Sequence, residues 1–232
     1  MVKNPEAPVR LGKDRVEVEG RQVFAAEKLY LMLNKPRGVV TTASDEKGRK
    51  TVYSFLPSAF APGTQMESNA SARAWIAPVG RLDEASEGLL LFTNDSEWAA
   101  RITAPGSHLD KTYQVQIDKV ADQRLLQSLQ HGVHSKGEML KAKRAALLRT
   151  GEKNSWIEVV LDEGRNRQIR RMLEGFGIAV LRLIRVAIGP LRLGNLAKGH
   201  YRPLESTEKL SLDQAIQQRD TPPTVRSELA RG

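Results

Sequence analysis

The chain has no cysteine among its 232 residues. That rules out a disulfide framework, a thiol nucleophile and a thiolate metal site. Aromatic residues are scarce, at 5%, so an aromatic at the end of a strand deserves scrutiny. No apolar run approaches the roughly 18 residues a membrane span needs. The opening MVKNPEAPVR lacks the apolar stretch of a secretory signal. The expected setting is the cytoplasm, with no membrane partner. Of four histidines, only His131 and His134 are close together, in HGVHSKG. With no acidic or histidine cluster beside them, they read as a solvated loop and not a metal site. A glycine-rich phosphate loop is also missing, so neither metal nor cofactor is expected.

Acidic residues are the other shortage. Lys and Arg number 36 against 27 Asp and Glu, a formal charge of +9. Such an excess favours a polyanionic partner, and nucleic acid is the commonest, although many soluble proteins are simply basic. The 40% hydrophobic content is ordinary for a globular protein and enough for a real core.

Residues 1–27 are polar, and Arg15–Gly20 alternates like one strand of a small hairpin. The main body begins at Lys28–Leu33, a short strand stopped by Asn34-Lys35-Pro36-Arg37-Gly38, and a second strand is expected at Val39–Thr42. Residues 57–74, rich in Pro, Ala, Ser and Gly, read as an inserted loop. Gly88–Thr93 is apolar enough for a buried strand, and Asn94-Asp95-Ser96 caps a helix after it. Lys111–Asp118 alternates, with Tyr113, Val115 and Ile117 on one face. Asp122 opens a helix that Gly132 stops, and Ser155–Leu161 is a further strand. Ile169, Met172, Leu173 and Phe176 then form an apolar helical stripe, followed by strands around Val180–Ile188 and near Tyr201. From Ser211 the chain is a polar tail, with a short helix at its start and disorder expected at its end. Strands predominate and helices intrude singly, which predicts an α+β fold with a largely antiparallel sheet.

Three stretches are hard to explain as packing alone. Gly80–Gly88 places Arg81, Asp83, Glu84, Ser86 and Glu87 directly before the buried strand. Lys111-Thr112-Tyr113 puts an aromatic near a strand end. Gly164–Leu173 carries Arg165, Arg167, Arg170 and Arg171 around an apolar stripe. Taken singly, the first two also read as a solvated turn and a core tyrosine. Arginines this dense repel one another unless anions neutralise them. Arg165, Arg167 and Arg171 are therefore assigned to phosphates, while Arg170, next to core residue Ile169, is free to turn inward.

In this order, GRLDEASEGLLLFTND, KTY and GRNRQIRRML resemble the signature motifs of the RsuA-type ribosomal pseudouridine synthases. LNKPRGVVTT and LRLIRVAIGPLRLGNLAKGHYRPL match as well, so the resemblance runs from about Leu29 to Leu204. It implies a mixed, mostly antiparallel sheet crossed by a central cleft, with a catalytic domain over 28–210. Asp83 matches the catalytic carboxylate, Tyr113 the residue that stacks on the target base, and Arg170 the partner of the catalytic Asp. Leu183 matches an apolar wall of the base pocket, beside which Arg81 is placed. Lys35, Arg37 and Lys111 join Arg165, Arg167 and Arg171 as expected RNA contacts. The implied reaction isomerises a uridine of ribosomal RNA, 23S rather than 16S, by a monomer without cofactor. Relatives carry an S4-type RNA-binding module, of which only GKDRVEVEGRQV is similar here, at its closing hairpin. Ala104-Pro105-Gly106 also departs from the family pattern.

The chemistry fits these residue types. Positive charge develops at C1′ when the N1–C1′ bond breaks, and a carboxylate can add there or abstract a sugar proton. The uridine must leave the helical stack, and an aromatic platform is worth about 1–3 kcal/mol per base. Two competitors stay open: a non-catalytic ribosome-assembly factor, which needs only the basic face, and a glycoside hydrolase using Asp83 with Glu87.

Overall fold

The computed structural model describes residues 16–18, 21–23, 27–61, 75–107 and 109–220. In chain order the strands are β1 (Val16–Val18), β2 (Arg21–Val23), β3 (Tyr30–Lys35), β4 (Ala77–Val79), β5 (Glu87–Thr93) and β6 (Lys111–Ile117). They continue with β7 (Val133–Ser135), β8 (Glu138–Leu140), β9 (Arg144–Thr150), β10 (Ser155–Leu161), β11 (Val180–Ile188), β12 (Leu191–Arg192) and β13 (Tyr201–Pro203). The helices are α1 (Ser96–Thr103), α2 (Gln123–His131), α3 (Gln168–Glu174) and α4 (Ser206–Asp220).

Nine strands form one sheet along the path β13-β3-β5-β11-β6-β10-β9, with β12 on β11 and β4 on β5. Every ladder is antiparallel except the central one, where β11 runs parallel to β5 through Ile184↔Glu87 and Arg185↔Gly88. Glycine is required there: Gly88 has φ +105°, and a Cβ would lie 2.3 Å from the carbonyl oxygen of Arg185. The fold is thus the expected α+β one with a mixed, mostly antiparallel sheet.

Alternation divides the core into three clusters. Val115 and Ile117 of β6, Ile157, Val159 and Leu161 of β10 and Leu183 of β11 pack against Leu126 and Leu129 of α2 and Ile169, Met172 and Leu173 of α3. On the other half of the same face, Leu31, Leu33, Leu90 and Phe92 pack under Val39, Val52, Tyr53 and Leu56. Tyr113 touches both groups. Behind the sheet, Leu89 and Leu91 meet Trp98, Ile102, Leu212 and Ile216.

Local signals held where side chains close helices. The Asp95 carboxylate accepts from Trp98 N at 3.1 Å and that of Asp122 from Leu125 N at 2.8 Å, each capping a helix. Four expectations change. Val39–Thr42 is not a strand; among these residues Val40 makes one isolated bridge to Thr51. The stripe of α3 stops at Leu173: the helix ends at Glu174, Gly177 (φ +65°) reverses the chain, and Phe176 is left 39% exposed. His131 ends α2 and His134 lies in the β7–β8 hairpin, so the pair is not a loop. The polar segment from Ser211 belongs to α4, a helix of 15 residues anchored by buried Leu212 and Ile216. Trp98 Nε1 donates to Asp213 in this helix at 2.8 Å. The expected hairpin near the N-terminus is present as β1 paired with β2. Most of the 57–74 loop, from residue 62, lies outside the described residues, as do His108 and the tail from residue 221. The loop's described start is a single 3-10 turn, Ser58–Phe60.

Candidate active site

The site is built on the loop between β4 and β5. Thr41 Oγ1 holds the residue before Asp83, donating to the carbonyl of Leu82 at 2.7 Å. The next four carbonyls each have a donor. Lys35 Nζ donates to those of Asp83 (3.1 Å) and Ser86 (2.8 Å), Gly38 N to Glu84 (2.8 Å), and Arg170 Nη2 to Ala85 (3.0 Å). The loop backbone is therefore fixed from β3, from the turn after it and from α3. The Asp83 side chain remains free of the scaffold, 37% exposed, with Arg167 Nη1 3.8 Å from its Oδ2. Around it is an open cleft of about 360 Å³ lined by Arg37, Gly38, Asp83, Glu84, Ala85 and Arg167.

Of the expected RNA contacts, Arg37 and Arg167 stand in the cleft wall. Arg167 occupies the N-terminal cap of α3 in a left-handed conformation (φ 48°, ψ 32°), which turns its side chain away from the helix body. Arg165 is exposed and paired with Glu163 at 2.9 Å and Glu138 at 3.9 Å, surface contacts that a phosphate can displace. Two assignments are corrected. Lys35 is fully buried beneath the Asp83 loop, so it is part of the scaffold and not of the rim. Arg171 is only 12% exposed and holds the β7–β8 hairpin through Ser135 O (2.7 Å) and Glu138 (2.8 Å), because its helical position faces that hairpin. Lys111 is half-buried at the head of β6, and Arg81 is exposed in the turn before Asp83, outside the cleft wall. Leu183 is buried in the core beside Val115.

Arg170 also differs from the expected direct pairing. Among the described residues, the cation within ion-pair distance of Asp83 is Arg167. Arg170 reaches the loop at Ala85 O and touches Val180 O at 3.4 Å, while its Nε is buried with no partner. Burial lowers its pKa, Arg167 lowers it further, and the Asp83 charge raises it. Arg170 therefore acts on Asp83 through the loop backbone and through longer-range attraction.

Glu87, the second carboxylate a glycosidase would need, is not available. It is buried between Arg182 (3.1 Å) and Lys198 (2.5 Å). Burial alone would raise its pKa, but these two cations hold it below the ordinary carboxylate range. A general acid requires the opposite shift.

Sequence reasoning missed Lys35 as an internal cation. The signal was its phase: Leu31, Leu33 and Lys35 alternate onto one face of β3, and the first two are core. Burial lowers the Lys35 pKa to about 8, against the opposing pull of Asp83, Glu84 and Glu87. The native state thus binds this proton less readily than the unfolded chain does. Between about pH 8 and the ordinary lysine value, stability contributed by this group should rise with pH. Melting curves across that range should show the stability of wild type rising relative to that of Lys35→Met as pH rises. A constant difference would mean Lys35 titrates as an ordinary lysine.

The model of the RNA pseudouridylate synthase family matches residues 29–175, and the chain belongs to that family of RNA-modifying isomerases. Within it the chain falls in the RsuA type that the motifs indicated. It is 38% identical over 85% of its length to "Ribosomal large subunit pseudouridine synthase B" of Bacillus subtilis, covering 76% of that protein. It is 35% identical over 92% of its length to an RNA pseudouridine synthase of Aquifex aeolicus, covering 78% of that protein. A crystal structure of a pseudouridylate synthase superposes with a TM-score of 0.66 at 30% identity, over 91% of this chain and 85% of the other.

Proposed function

We propose that this chain converts one uridine of ribosomal RNA, in 23S rather than 16S, to pseudouridine, with Asp83 as its catalytic carboxylate. The observation that carries the reading is the clamp on four successive carbonyls, which fixes the loop by its backbone and leaves the Asp83 carboxylate, 37% exposed, in a cleft lined by Arg37 and Arg167. The large-subunit target is supported by the Bacillus subtilis relative's name. In this reading a flipped uridine stacks on Tyr113 and Asp83 meets the charge developing at C1′, either by adding to it or by taking a sugar proton. The electron pair of the N1–C1′ bond goes to the uracil. The base turns, C5 bonds to C1′, and the proton on C5 leaves. The product holds every atom of the substrate, so the reaction needs no cofactor. Arg37, Arg165 and Arg167 hold the phosphates around the site. The protein works as a monomer in the cytoplasm.

Incubating the chain with 23S and 16S RNA tritiated at uridine C5 tests this directly. Label should be released from 23S in an amount equal to one site per molecule. A protein that binds these RNAs and releases no label would be an assembly factor instead.

The arginines separate in the same assay. Arg167→Ala should lower turnover and flatten the log–log dependence of RNA binding on salt by close to one unit. Arg171→Ala should leave that slope unchanged and instead cost on the order of 1 kcal/mol of stability, because it removes a part-buried hydrogen bond to Ser135 O and an exposed pair with Glu138. Equal slopes for both variants would return Arg171 to the RNA surface.

A further inference from the structure

A second buried guanidinium, that of Arg185, lies in the sheet opposite Gly88, just past the Asp83 loop. The register of the sheet sets Lys35 opposite Gly88, Gly88 opposite Arg185 and Arg185 opposite Tyr113. These four residues make one row across β3, β5, β11 and β6. Paired residues on neighbouring strands share a face, so Arg185 stands beside Tyr113 at a Cβ separation of roughly 5 Å. Arg185 is 6% exposed. Its Nε donates to the carbonyl of Leu89 at 2.8 Å, which fixes the plane of the guanidinium. Its Nη2 is buried and has no partner.

A buried guanidinium donor without an acceptor is unfavourable, and native proteins rarely leave one. Among the described residues, the buried side-chain nitrogens in this condition are Arg185 Nη2 and Arg170 Nε, of two guanidiniums that hold the carbonyls of Leu89 and Ala85 at the end of the Asp83 loop and the start of β5. Open donors this near Asp83 are complementary to a ligand rich in acceptor oxygens. Lys35 lies close enough that the two cations repel, which makes the region more attractive to negative charge.

We propose that Nη2 of Arg185 donates to a carbonyl oxygen of the flipped uracil and stabilises the anion formed when the N1–C1′ bond breaks. The proposal rests on the pseudouridine synthase reading above. As that bond breaks, its electron pair passes to the uracil ring and spreads onto O2 and O4. A base lying on the Tyr113 ring brings one of its edges over the neighbouring residue of β11. A fixed cation there binds the leaving group more tightly as its charge grows, which accelerates the bond-breaking step. The contribution is the same whether Asp83 adds to C1′ or removes a sugar proton.

The test uses leaving-group ability. Fluorine at C5 withdraws electrons and makes the uracil a better leaving group, so it should need Arg185 less. Single-turnover consumption of the target nucleoside is measured, by nucleoside chromatography of digested RNA, for uridine and 5-fluorouridine transcripts of one rRNA fragment. Wild type, R185M and R185K are compared. For R185M the rate on uridine should fall by on the order of 10²-fold or more, as when a transition-state donor is removed. The rate on 5-fluorouridine should fall by at least about tenfold less, with RNA affinity nearly unchanged. R185K keeps a cation with a single point donor and should lie between. Equal losses on both substrates would overturn the proposal, since a structural defect is blind to the leaving group. If R185M does not fold, the same comparison with R185K decides. A wild-type protein that consumes neither nucleoside would overturn the underlying reading instead, a result distinct from equal losses in the variants.

Discussion

Asp83→Asn should lower tritium release from C5-labelled rRNA by on the order of 10³-fold or more while the protein stays folded and bound to RNA. The structure gives a reason for this separation. The loop is held through its backbone, by Lys35, Gly38 and Arg170, and not through the carboxylate. The side chain's ion-pair contact is with Arg167 at 3.8 Å, between two partly exposed groups. Such a pair is worth little, so its loss should change stability by about 1 kcal/mol at most. Asparagine has nearly the same shape but cannot supply charge to C1′. Circular dichroism and RNA titration should therefore match wild type, with only turnover lost. A correctly folded Asp83→Asn protein that still isomerises uridine would remove Asp83 from the mechanism.

Gly88→Ala should be the most damaging substitution by a single methyl group. At φ +105° an L-residue is already strained, and the new Cβ would lie 2.3 Å from Arg185 O and 2.8 Å from Arg185 N. Both are backbone atoms, so no side chain can rotate away. Relief requires parting β5 from β11, which pair in parallel through two residue pairs, one of them this one. A stability loss on the order of 3 kcal/mol or more is expected, which for a chain of this size lowers the melting temperature by about 6–12 °C. Activity should fall further than the folded fraction explains, since Arg185 and the end of the Asp83 loop both move. A wild-type melting temperature would show that the centre of the sheet is more forgiving than its geometry implies.

Features decided locally were legible in the sequence. Asp95 and Asp122 announced their helices as capping side chains, and the alternation of Lys111–Asp118 announced β6 with Tyr113 on its core face. The motif holding Asp83 marked a loop that lines the cleft. What was not legible depends on distant partners. Lys35 looked like a rim cation because the carbonyls of Asp83 and Ser86 that capture it lie about fifty residues away. Arg171 looked like its neighbours until the β7–β8 hairpin occupied its face of α3. Val39–Thr42 has strand composition, yet the neighbouring strand position is filled otherwise, with β3 lying between β5 and β13. The short helix expected in the polar tail is longer and starts earlier, at Ser206, and two buried side chains, Leu212 and Ile216, suffice to dock this otherwise polar segment.

The central parallel ladder has a consequence for the order of assembly during synthesis. Its two strands start at residues 87 and 180, and β13, which pairs with β3, ends at residue 203. Loop-closure entropy must be overcome before either long-range pairing is rewarded, so contacts of this separation form late. The residues around Asp83 leave the ribosome early, but Arg167 and Arg170 follow more than eighty residues later. A nascent chain therefore carries its carboxylate well before it carries a cleft, and it should reach activity abruptly, near the emergence of β11, and not by degrees.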